Sequence, residues 1–202
     1  VNESALIQAA QKGDLEAFNQ LVLAYQDRVY NQAYRVMGER SAAEDAAQEA
    51  FISAYRKLHT YRGGSFTAWL LRIVTNACYD ELRRQKRRPT TPLEPETNDG
   101  EIFDSPQWLI DPGDSPETSL QRGELAAAIQ RCLNELPINF RMAIVLIDIQ
   151  GLDYSEAATV IEKPLGTIKS RLARARQRMQ NCLQKFRELL PHAHRLREEA
   201  AL

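Results

Sequence analysis

The feature that most constrains this chain is a run of acid and proline near its middle. Six of the nine prolines fall between Pro89 and Pro116, and residues 89–120 carry eight acidic side chains with no basic one. Proline removes backbone donors and breaks helices, and like charges repel. The segment therefore reads as an extended linker that splits the chain into two blocks. Within it, Ile102, Phe103, Trp108, Leu109 and Ile110 are apolar enough to suggest docking on a domain or partner.

Both flanking blocks carry helical periodicity and neither shows the two-residue alternation of strands. Asp14 is placed to cap a helix over 14–38, with Phe18, Leu21, Val22, Tyr25, Val29, Ala33 and Val36 on one stripe. Ser41 to Glu44 resembles a capping box, opening a helix whose inward stripe includes Ala47, Ala50, Phe51, Ala54, Tyr55 and Leu58. Gly63-Gly64 breaks the chain, Ser65 caps, and a long helix over 66–87 stops before Pro89. A short helix over 6–10 completes a first bundle. After the linker, Ser115-Pro116 starts a helix reaching about 135, since proline is well tolerated at the first helical position. Others follow over 138–151, from the capping box at Asp153 to about 162, and from about Thr167 onward. The expected fold is all-α, two small helical domains joined by an extended acidic linker. The expected divisions are 1–88, 89–115, 116–190 and a tail at 191–202.

Charge narrows the function. The net charge of −1 conceals segregation. Residues 62–88 hold seven basic side chains against two acidic, and residues 163–187 hold eight with no acid. Local rather than total charge is what a phosphate backbone feels. No apolar run approaches the ~20 residues of a membrane span, the first residues lack the pattern of a signal peptide, and no membrane insertion is expected. Cys78, Cys132 and Cys182 are odd in number and far apart in sequence. They read as reduced, structural thiols in a cytoplasmic chain. No cofactor and no metal site are expected.

The strongest motif lies at 153–176. A short helix with Ala157, Ala158 and Ile161 inward meets a glycine-bearing turn, then a helix with Ile168, Leu172 and Ala175 inward. That is a helix-turn-helix layout. Thr167, Lys169, Ser170, Arg171, Arg174 and Arg176 lie off the apolar stripe, where such a helix enters the major groove. On the 66–87 helix, Leu70, Ile73, Val74 and Ala77 form a core stripe. The opposite face carries Trp69, Arg72, Asn76, Tyr79 and Arg83. Aromatic stacking with arginines on phosphate suits opened DNA; a partly buried aromatic pair under a solvated basic surface fits equally well. On the 42–58 helix, Asp45, Gln48, Glu49, Ile52 and Arg56 read from composition as a solvated exterior. A stand-alone duplex-binding regulator is the main alternative function. An enzyme acting on nucleic acid finds no metal cluster, phosphate loop or nucleophile–base pair to support it.

Residues 45–55 (DAAQEAFISAY) and 61–73 (YRGGSFTAWLLRI) closely resemble the second conserved domain of bacterial sigma factors of the extracytoplasmic-function group. Residues 151–158 (GLDYSEAA) and 166–176 (GTIKSRLARAR) resemble their fourth domain. The resemblance implies a promoter-specificity subunit of RNA polymerase, not an enzyme. It implies that Asp45, Gln48, Glu49, Phe51 and Ile52 dock on the core polymerase, at the clamp coiled coil of the beta and beta-prime subunits. It implies that Tyr61, Arg62, Ser65, Phe66, Trp69, Arg72, Asn76 and Arg83 capture and help melt the −10 element of promoter DNA. The helix-turn-helix would read the −35 element, and the linker would thread through polymerase toward the RNA exit. An anti-sigma protein is a further candidate partner. Three features depart from the common pattern: the acid- and proline-rich linker with Trp108, the tail with His192 and His194, and Lys169 where arginine is common.

Overall fold

The computed structural model describes residues 2–87 and 116–190. The linker apolar cluster, Arg88 and the histidine-bearing tail lie outside the described residues. Among the described residues there are helices and no strand.

The first block comprises α1 (Glu3–Gln11), α2 (Leu15–Met37), α3 (Arg40–Lys57), a 3₁₀ turn (Leu58–Thr60) and α4 (Phe66–Arg87). Asp14 caps α2 by accepting from the Ala17 amide. Gly38 ends that helix at φ 78°, the left-handed C-terminal position where a side chain is strained. A second reason favours glycine there. A Cβ at Gly38 would fall 2.4 Å from the Asn134 side chain, on the other block. The capping box expected at Ser41 is not the one used. The helix starts two residues earlier, at Arg40, and Glu39 caps it by accepting from the Ser41 amide. Small residues line its buried side (Ala43, Ala46, Ala47, Ala50 and Ala54), which lets α3 pack closely against α2 and α4. Tyr55, expected inward, is 43% exposed instead.

The second block contains α5 (Pro116–Glu135), α6 (Ile138–Ile144), a π turn (Val145–Ile149), α7 (Tyr154–Ile161), α8 (Leu165–Leu183) and a 3₁₀ segment (Gln184–Leu189). Its centre is built from Met142, Val145, Leu146, Ile168, Leu172 and Ala175, all essentially buried.

The two blocks share one continuous apolar core. α7 packs on α4, while α5, α6 and the π turn meet α2. The seam is polar at its edges, where several side chains hydrogen-bond across it. Arg28 Nε donates to Gln150 Oε1 at 3.1 Å, and its guanidinium also reaches the Gln150 carbonyl. Arg35 Nη1 donates to Gln130 Oε1 at 3.1 Å, and Arg141 Nη1 to the Val36 carbonyl at 2.6 Å. Inside the seam, Gln32 donates to Thr75 at 2.8 Å and Thr75 reaches the Met142 sulfur at 3.8 Å. Burial pushes the pKa of both Arg35 and Arg141 down. Their carbonyl and amide partners offset part of that desolvation cost.

The cysteines divide into two kinds. Cys78 is a buried free thiol, pushed up to about 12 mainly by desolvation, and so is unreactive. Cys132 on α5 and Cys182 on α8 instead form a disulfide, with Cα atoms 5.7 Å apart across a sequence separation of 50. This corrects the expectation of three reduced thiols. Distance along the chain says nothing about distance across two packed helices. Closing a loop of that size restricts the unfolded chain, so reduction should lower stability by roughly 2–4 kcal/mol. Thermal melting with and without dithiothreitol checks this. Cys132→Ser should remove the difference between the two curves.

Candidate nucleic-acid and polymerase interface

Three surfaces collect the functional residues nominated from sequence. The first is the loop before α4. Gly63 and Gly64 both take positive φ (100° and 92°), a conformation glycine adopts at no steric cost. This turns the chain so that the Tyr61 hydroxyl donates to the Gly64 carbonyl at 2.7 Å. Ser65 Oγ then caps α4 by accepting from the Ala68 amide at 3.1 Å. Tyr61, Phe66 and Trp69 form a ring cluster with centroid separations of 5.3–5.6 Å, and Tyr25 meets Phe66 edge-on at 5.4 Å.

Within this cluster the nominated residues separate. Phe66 is 4% exposed and cannot meet DNA in this arrangement. It is the floor on which Tyr61 and Trp69 rest. Those two are half-buried, while Arg62 and Ser65 are exposed. Further along α4, Arg72, Asn76 and Arg83 are exposed, and Tyr79 is half-buried. The aromatic bodies lie against the core beneath an outward row of cations and an amide. Arg83 pairs with Asp80 at 3.1 Å, one turn back. Arg84 pairs with Glu81 at 2.8 Å and approaches Asp45 at 3.6 Å.

The second surface is the outer side of α3. Asp45, Gln48 and Glu49 are exposed, Ile52 is 42% exposed, and Phe51 is half-buried against the core. Tyr55 adds exposed apolar area that the sequence reading did not nominate. Tyr55 occupies an apolar-stripe position by periodicity. Its ring packs edge-on against Phe18 at 5.0 Å while staying 43% exposed, which puts it on the rim.

The third surface is the helix-turn-helix. Asp153 caps α7 by accepting from the Ser155 and Glu156 amides at 2.7 and 2.8 Å. Glu156 closes the box by accepting from the Asp153 amide at 3.1 Å. The turn does not use its glycine as expected. Glu162 takes the left-handed position at φ 56°, and Gly166 falls inside α8, which starts at Leu165. Ile168, Leu172 and Ala175 face inward as expected. Lys169, Ser170 and Arg174 are exposed, with Thr167 and Arg171 half-exposed. Lys169 Nζ sits 5.8 Å from the Tyr154 ring centroid, and Ser170 Oγ donates to the Thr167 carbonyl at 3.0 Å. Arg176 is exposed, and its Nε and Nη2 donate to the Asp148 carboxylate at 2.9 and 2.6 Å. That forked pair ties α8 to the π turn and raises the Arg176 pKa, chiefly through the hydrogen bond.

The first and third surfaces meet. Arg72 on α4 forms an ion pair with Glu162 in the helix-turn-helix turn, and Arg171 lies close enough to influence the Tyr79 hydroxyl, whose pKa burial raises. No group of His, Cys, Asp and Glu side chains able to hold a metal occurs among the described residues. No helix among them is long and apolar enough to cross a membrane.

Comparison with known proteins decides what these surfaces belong to. Residues 21–88 match sigma-70 region 2, and residues 126–179 match sigma-70 region 4. The RNA polymerase sigma-H factor of Pseudomonas aeruginosa is 38% identical over 90% of this chain and 94% of its own length. The chain belongs to the sigma-70 family. Its relatives place it in the extracytoplasmic-function group. The sigma-E factor of that group from Escherichia coli K12 is 37% identical, over 91% of this chain and 95% of its own. Among solved structures, the sigma factor RpoE of Bartonella quintana, in complex with the anti-sigma factor NepR, superposes with a TM-score of 0.64. It is 26% identical and aligns with 83% of this chain and 96% of its own. This sigma factor is accordingly not an enzyme. It works with core RNA polymerase on promoter DNA to direct promoter-specific initiation.

Proposed function

We propose that the surfaces divide the work of this sigma factor as follows. The loop at 61–65 and the outward row Trp69, Arg72, Asn76 and Arg83 take the separated strands of the −10 element. The loop presents half-buried rings to a base while exposed cations hold phosphate. The first turns of α8, with Thr167, Lys169, Ser170, Arg171 and Arg174, read the −35 element in the major groove. Phe66 and Arg176 support these readers from behind. The α3 exterior, with Asp45, Gln48, Glu49, Ile52 and Tyr55, docks on the beta and beta-prime subunits. The corresponding divisions are 1–88 for the −10 reader and polymerase site, 89–115 for the acidic connection, and 116–190 for the −35 reader.

One observation carries this reading. An aromatic loop and a basic helix face stand on one block, and a capped helix-turn-helix with an acid-free reader helix stands on the other. The Arg72–Glu162 ion pair bridges the two readers, which stand side by side. Elements centred near −10 and −35 lie ~25 base pairs apart, about 85 Å of duplex. The blocks must therefore separate to act, and the core enzyme is what separates them. Because the Bartonella relative is bound to an anti-sigma factor, a protein of that kind is a natural partner here too. The site of action is the cytoplasm, where the polymerase and chromosome are.

Run-off transcription on a promoter library with core polymerase tests the assignment. The mixture should yield sequence-selected transcripts that core or sigma alone does not give, and failure to bind core would overturn it. Asp45→Ala with Gln48→Ala should weaken core binding in a competition assay without changing the melting temperature. Unchanged affinity would reject α3 as the docking surface.

A further inference from the structure

The loop proposed to hold the −10 base is fastened from an unexpected place. α1 precedes the region matched to sigma-70 region 2, which starts at residue 21. Its last residue, Gln11, reaches the root of the loop. One amide nitrogen, Nε2, donates to the Leu58 carbonyl at 3.0 Å and to the Tyr61 carbonyl at 2.9 Å. The first acceptor opens the 3₁₀ turn and the second closes it. Both hydrogens of the amide are used, and the turn cannot unwind without losing them. The Leu58 carbonyl also accepts the Tyr61 amide at 3.1 Å.

From Tyr61 the constraint passes directly into the loop. The Tyr61 ring lies against Phe66 and Trp69 and its hydroxyl holds Gly64. α1 itself is well seated, with Ile7 and Ala10 buried in the core and Glu3 hydrogen-bonded to the Tyr25 hydroxyl. Gln11 is exposed, and its side-chain amide donates to the two loop carbonyls.

We infer that Gln11 is a positioning residue for −10 recognition, setting the height and angle of Tyr61 and thereby the geometry of the base-holding loop. It acts through the loop rather than on DNA. The inference rests on the assignment of that loop to the −10 element. It gives a definite ranking of substitutions. Gln11→Ala removes both donors. Gln11→Glu is worse, because it aims a carboxylate at two carbonyl oxygens. Gln11→Arg keeps N–H donors and should retain function.

The test uses sigma reconstituted with core polymerase and a pool of single-stranded oligonucleotides carrying a short random segment. The sequence preferred by the wild type and its scrambled counterpart are then measured separately with each variant. Preference for the selected strand should fall about three- to tenfold in Gln11→Ala, the size of one or two exposed hydrogen bonds. It should fall further in Gln11→Glu and return in Gln11→Arg, with −35 duplex binding and the melting temperature unchanged. Equal preference in wild type and Gln11→Glu would overturn the inference. So would a uniform loss across all sequences and both elements, which marks a merely structural residue. A wild-type holoenzyme that selects no strand, while Tyr61→Ala changes nothing, would instead overturn the −10 assignment and the inference with it.

Discussion

Leu172→Ala is expected to cost about 2–5 kcal/mol of stability, the usual range for emptying a leucine-sized space in a packed core. Leu172 is 1% exposed on the inner face of α8, in the same cluster as Ala157, Ile168 and Ala175. The alanines are what make the site unforgiving. They bring α7 and α8 close together and have no side-chain length with which to refill the space. Urea unfolding should show the loss, whereas Leu165→Ala, at a position 43% exposed, should stay within about 0.5 kcal/mol of wild type. DNA binding separates this effect from readout. Arg174→Ala should leave stability alone yet reduce discrimination at the −35 element by about 1–3 kcal/mol if the guanidinium forks onto a base. A loss of the same size on every duplex would make Arg174 a phosphate contact instead.

The contrast between Leu172 and Arg174 shows how far sequence reached. Periodicity separated the inner and outer faces of α8 because a helix repeats every 3.6 residues whatever it packs against. By the same periodicity Ile168 and Ala175 lie inside and Lys169 outside, and the local cap residues Asp14 and Asp153 are legible in the same way. Contacts made by partners from elsewhere in the chain leave no such local signal. Phe66 carries the residue type of a base-stacking group, but Tyr25, forty-one positions earlier, covers it. Arg176 has the spacing of a reader, but Asp148 on the π turn holds its guanidinium. Gly166 is expected in the turn, but α8 already starts at Leu165 and Glu162 takes the left-handed position instead. Gln11 carries no signal by spacing at all, since its meaning is a pair of carbonyls nearly fifty residues away.

The contact between the blocks, equally hidden from sequence, leads to the other large expected effect. Gln130→Leu should shift the molecule toward a form with its blocks apart. Arg35 is a charged group only 8% exposed, and Gln130 Oε1 is the acceptor for its Nη1 from across the seam. Leucine fills similar space but accepts nothing. The closed form would then keep a buried guanidinium without that partner, whereas an open form returns it to water. Hydrogen bonds to charged groups contribute about 1.5–3 kcal/mol, so the closed-to-open ratio should fall roughly 10- to 150-fold. Dyes at the exposed positions Glu16 and Gln180 report the change as a drop in energy transfer in the free protein. With core polymerase and promoter bound, wild type and variant should converge on the same low transfer. The 27 residues of 89–115 can extend to about 90 Å, enough to let the readers stand as far apart as the two elements require. Arg72 adds a direct consequence. While it pairs with Glu162 it is unavailable to DNA, and that pair, exposed on both sides, contributes only about 0–1 kcal/mol. The buried Arg35–Gln130 bond therefore dominates over the visible salt bridge in keeping the readers together. Glu162→Gln should move energy transfer far less than Gln130→Leu, and the reverse order would reject the buried bond as the controlling contact.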